Sequence, residues 1–67
     1  MIDSIRIKNR IREKGLQQKE IAAEMGISQS SFNQKINKVR GLSLDEAHRL
    51  SEILEISQAD FGTYFFA

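Results

Sequence analysis

The sequence predicts an all-α fold, a compact bundle of five short helices forming one domain over residues 1–67. Three observations predict it. Apolar residues recur at helical rather than alternating spacing. Capping and turn residues cut the chain about every ten to fifteen positions. A chain of 67 residues with no Cys and no Pro has room for one small core, held by packing alone.

Asp3 can cap a first helix, with Ile2 before it and Ile7 within it placed as a hydrophobic staple, and Ile7 and Ile11 sharing one face. Gly15 ends that helix. Because Ile favours strands, residues 1–7 could partly extend. A second helix covers about Gln17 to Met25, with Ile21, Ala22 and Met25 on one side, and Gly26 is its left-handed cap. Ser28 caps a third helix to about Asn37, with Phe32 and Ile36 turned inward. Ser43 and Glu46 form a capping box for a fourth helix to about Glu55, where Leu44, Ala47, Leu50 and Leu54 make the apolar stripe. Ser57 and Asp60 repeat a weaker version of that signal before a last helix, about Gln58 to Phe66.

The residues argue against several function classes. The absence of Cys and the single His exclude a disulfide framework and the usual Cys/His zinc sites, and fit a reducing cytoplasmic setting. No apolar run approaches the roughly 20 residues that span a bilayer, so no membrane is expected. His48 has no nucleophile beside it and lies off the apolar stripe, which makes it a surface histidine. The scattered glycines at 15, 26, 41 and 62 build no phosphate-cradling loop. The expectation is a non-enzyme without cofactor, metal or small-molecule substrate.

Charge is unevenly distributed. Residues 1–40 carry nine Lys/Arg against four acids, and residues 41–67 one Arg against five acids, so a positive half of +5 meets a negative half of −4. Such polarity suits a molecule that approaches a polyanion, although an uneven solvated surface would look the same.

The third helix narrows the choice. At about 100° per residue from Phe32, Ile36 falls at about 40°, and Asn33, Asn37, Ser30 and Gln34 spread over about 100–200°. That arc holds amides and a hydroxyl but no acid, and Gln29 borders it. Amide side chains can pair bidentately with adenine edges in a major groove. Gln17 and Gln18 open the second helix, where unbonded N–H groups and the helix dipole attract phosphate. Lys35, Asn37, Lys38 and Arg40 lie at the far end of the third helix and would grip the backbone there. Double-stranded DNA fits all three features, with Gln29, Ser30, Asn33 and Gln34 at base edges.

The stretch from Leu16 to Phe32, with Gln18, Ala22, Gly26, Ile27, Ser28 and Ser30 at its marked positions, resembles the helix-turn-helix of the lambda repressor and Cro family. Ser43 to about Ile56 resembles the family more loosely, and Phe32 to Asn37 is similar to its phage-repressor-like branch. The resemblance implies a prokaryotic or phage transcriptional regulator in which Gln18 binds phosphate, Gln29, Ser30 and Asn33 meet base edges, and Lys38 or Arg40 touches the backbone beyond. Two positions depart from the pattern. Gln17 replaces the Thr or Ser that usually caps the second helix, and Arg10 stands where many members carry an aliphatic residue. Domains of this shape also serve as protein-interaction modules, of antirepressor or antitoxin-like kind, which remains the competing reading.

Four of the five aromatics, Phe61, Tyr64, Phe65 and Phe66, fall in the last seven residues. Phe61 and Phe65 can face the core together. Tyr64 and Phe66, with Ile5, either wrap the same small core or form a self-complementary patch for a homodimer.

Overall fold

The computed structural model describes residues 2–37 and 41–66, and among them there are five helices and no strand. They are α1 (Ser4–Glu13), α2 (Gln18–Met25), α3 (Gln29–Asn37), α4 (Leu44–Ile53) and α5 (Gln58–Phe65). Four of the five starts are set by the side chain of the residue before them. Asp3 accepts from the Arg6 N–H at 3.1 Å, Ser28 from Ser31 at 3.0 Å, Ser43 from Glu46 at 3.2 Å and Ser57 from Asp60 at 3.3 Å. Each side chain takes one of the donors a helix start leaves unpaired. Among the described residues only Ile2 and Asp3 stand ahead of α1, so the expected extension there is confined to its cap, where the Asp3 N–H donates to the Tyr64 carbonyl at 2.8 Å.

Three helices stop in the same way. Gly15, Gly26 and Glu55 adopt left-handed φ values of 70°, 73° and 56°. In each case two N–H groups fold back onto the last turn: Gly15 to Arg12 and Leu16 to Ile11, Gly26 to Ala23 and Ile27 to Ala22, Glu55 to Glu52 and Ile56 to Ser51. The residue after each turn, Leu16, Ile27 or Ile56, packs its apolar side chain against the core. A non-glycine at such a φ is strained, so α4 ends less cheaply than α1 and α2.

All five helices contribute to one core. Ile7 and Ile11 of α1 meet Ile21, Ala22 and Met25 of α2, Phe32 and Ile36 of α3, Ala47, Leu50 and Leu54 at α4, and Phe65 of α5. Phe32, Ile7, Ile21, Ile36, Leu50 and Leu54 are sealed from solvent. Burying each stabilises the fold by about 1.5–3 kcal/mol relative to exposure. Two expected placements change. Leu44 leaves the apolar stripe and is 60% exposed, because as the first residue of α4 it lies at the edge of the packed layer. Ser51 takes a buried place instead, its hydroxyl donating to the His48 carbonyl at 2.7 Å. Among the described residues no buried side-chain N or O atom lacks a partner.

Candidate nucleic-acid interface

Burial of Phe32 and Ile36 fixes which face of α3 points outward. Gln29, Ser30, Asn33 and Gln34 are all exposed and line one open depression, with no carboxylate among them. The acids of α2 lie on another side, where Glu20 and Glu24 border a groove with Leu16, Ile21 and Ile53. The α3 depression itself therefore offers a polyanion amides and a hydroxyl, with no carboxylate in its lining.

The α2 start sits beside this face. Gln17 occupies the cap position, and its backbone N–H donates to Glu20 Oε1 at 2.8 Å, while its amide makes no capping bond. Gln18 turns toward α3, and its Oε1 accepts from Asn33 Nδ2 at 3.2 Å. Asn37 Nδ2 donates to the Asn33 carbonyl at 2.9 Å and to Asn33 Oδ1 at 3.1 Å. Three amides from two helices are joined in a row across the outward surface. Sequence spacing alone shows the Asn33–Asn37 neighbourhood, but the Gln18 link depends on how α2 docks onto α3.

Lys35 faces the start of α4. Its ammonium pairs with Glu46 at 3.2 Å, and both side chains are only a little over a quarter exposed. Glu46 also accepts from the Ser43 N–H at 2.9 Å. That backbone bond, followed by the Lys35 ammonium, holds the Glu46 carboxyl below the usual glutamate range against the opposing effect of burial. Lys35 thus ties the end of α3 to the start of α4. Lys38 and Arg40, read from the sequence as phosphate contacts, lie outside the described residues.

A family model for the helix-turn-helix matches residues 7–61, which takes in most of α1, all of α2 to α4 and the start of α5. The chain belongs to the lambda repressor/Cro-like helix-turn-helix family. This is a family of DNA-binding regulators, and α2, the Gly26 turn and α3 form the motif that gives it its name. No curated protein and no solved structure matches the chain.

Helix-turn-helix proteins are frequently dimeric on DNA, so the aromatic tail matters. Phe65 is buried, Tyr64 is partly buried against the core, and Phe61 stacks on His48 with ring centroids 4.8 Å apart. Phe66 is 64% exposed and, with Ile2, Leu42, Leu44, Ala47 and Phe65, lines an apolar groove of about 420 Å³. Ile5 is 71% exposed. Leu44 is the apolar surface residue that sequence reasoning missed, because its spacing matched the buried stripe.

Proposed function

We propose that this chain is a sequence-specific, double-stranded DNA-binding transcriptional regulator of prokaryotic or phage origin, acting sterically as a repressor or Cro-like switch. The observation that carries this reading is the exposed, acid-free amide face of α3 beside the start of α2. In it, α3 enters the major groove and Gln29, Ser30, Asn33 and Gln34 address base edges, each good bidentate pair discriminating by about 1–3 kcal/mol. Gln17 and Gln18 meet phosphate at the positive end of α2, and Lys38 and Arg40 hold the backbone beyond α3. Lys35, engaged by Glu46, braces the recognition helix from within.

A module this small touches few phosphates, so it works as a homodimer on half-sites about 34–36 Å apart. Exposed Ile5 of α1 and exposed Phe66, with partly buried Tyr64 of α5, support such pairing. The same exposed apolar residues favour the second reading, a protein-interaction module of antirepressor or antitoxin-like kind. Gel-shift titration of the full chain on duplex DNA at two salt concentrations separates them. Tight binding that weakens steeply with salt supports the regulator; absent or salt-insensitive binding supports the protein partner.

A further inference from the structure

The row Gln18, Asn33, Asn37 has a polarity, and one backbone oxygen sets it. Asn37 Nδ2 lies 2.9 Å from the Asn33 carbonyl oxygen, an atom that only accepts, so the Asn37 amide cannot be reversed without setting oxygen against oxygen. The same Nδ2 reaches Asn33 Oδ1 at 3.1 Å, which in turn sets the orientation of the Asn33 amide. Asn33 Nδ2 then faces Gln18 Oε1 at 3.2 Å. Reversing Asn33 alone would bring two NH₂ groups together at one end and two carbonyl oxygens at the other.

An asparagine amide carries two N–H donors and an oxygen with two lone pairs. The row uses one donor and one lone pair of Asn33, leaving one of each on an exposed side chain. Adenine answers that combination in the major groove, since its N7 accepts and its N6 amino group donates. Guanine presents two acceptors and would face Oδ1 with O6.

We propose that Asn37 is a positioning residue that holds the Asn33 amide in the orientation that pairs with adenine, while Gln18 braces it from the other side. Asn37 then makes no phosphate contact of its own. The proposal rests on the DNA-reading function given above, and goes beyond it by naming the base and the residue that secures its selection.

The test uses operators selected by the full chain from a random duplex pool. The base pair whose preference Asn33→Ala abolishes is the one Asn33 reads. There the wild-type chain selects adenine, and placing 7-deazaadenine, which lacks the N7 acceptor, weakens wild-type binding about tenfold while leaving Asn33→Ala unaffected. Asn37→Ala reduces the adenine preference at that pair, leaves preference at the other pairs and the salt dependence unchanged, and has no further effect in the Asn33→Ala background. Asn37→Leu, similar in size but without a donor, does the same. Uniform weakening on every sequence by Asn37→Ala would show a phosphate contact and overturn the proposal. Selection of a base other than adenine, or an unchanged preference, also overturns it. If the wild-type chain selects no sequence, the DNA-reading function itself fails; if it selects an operator and only the Asn37 results disagree, that function survives and the positioning role falls.

Discussion

Arg10 Nε of α1 donates to the Leu54 carbonyl at the end of α4 at 2.9 Å, joining residues 44 positions apart in sequence. Its Nη2 donates to the Glu55 carbonyl at 3.0 Å. The last carbonyls of a helix have no partner within it and carry the negative end of the dipole, so a cation there both satisfies and neutralises them. The family resemblance puts an aliphatic residue at this position; here the guanidinium closes α4 instead. We expect Arg10→Leu to lower stability in urea unfolding by about 1–3 kcal/mol, the range for charge-assisted hydrogen bonds. Arg10→Lys should recover part of the loss, because an ammonium keeps the charge but lacks the two-pronged geometry. An unchanged midpoint for Arg10→Leu would show that the guanidinium does not stabilise the end of α4.

Glu55 sits at the junction that Arg10 closes, with φ of 56° and its carboxylate bonded to Lys14. Glycine adopts this backbone without strain, whereas alanine does not. Both Glu55→Gly and Glu55→Ala lose the exposed ion pair, so the difference between them reports the backbone alone. Thermal unfolding should place Glu55→Gly above Glu55→Ala. The reverse order would mean that the left-handed turn at Glu55 is absent in solution.

The helices were legible because their signals are local. Asp3, Ser28, Ser43 and Ser57 cap within three residues of themselves, and Gly15 and Gly26 supply the conformation their turns require. The sequence places the end of α4 near Glu55 but not the left-handed turn there, since glutamate does not announce one. The outward amide face of α3 followed from Phe32 and Ile36 alone. The Gln18–Asn33 link, the Arg10 clamp and the Lys35–Glu46 pair depend on helix docking, and no periodicity in the chain encodes which long side chain reaches which distant group.

Glu46 links the cap of α4 to the brace on α3, and its carboxyl is held below the usual glutamate range. In the unfolded chain it titrates near the ordinary value of about 4.3. Between that value and the lower folded one, the unfolded state binds more protons, so stability falls as pH drops through this window and is fully present above it. Glu55, lowered by Lys14, acts in the same direction. Glu46→Gln should therefore be less stable than wild type at neutral pH and lose less stability between pH 5 and pH 3, measured by urea unfolding across that range. Parallel pH profiles for the two chains would show that this carboxylate contributes nothing to acid sensitivity.

Three substitutions separate reading, gripping and bracing. Gln29 has an exposed amide, so Gln29→Ala should relax base preference while costing less on random duplex than on the selected operator. A lysine on phosphate releases counterions, and Lys38→Ala should weaken all sequences alike and shrink the salt slope by about one. The Lys35 ammonium is already paired with Glu46. Lys35→Gln should therefore leave the salt slope as it is and instead lower the unfolding midpoint, as expected for a contact between α3 and α4. Salt-dependent duplex titrations of the three variants, beside their melting curves, test all of this together. If Lys35→Gln shrinks the salt slope as Lys38→Ala does, Lys35 leaves Glu46 to hold phosphate and the brace exists only off DNA. If Gln29→Ala weakens operator and random duplex equally, the exposed amides of α3 do not read bases.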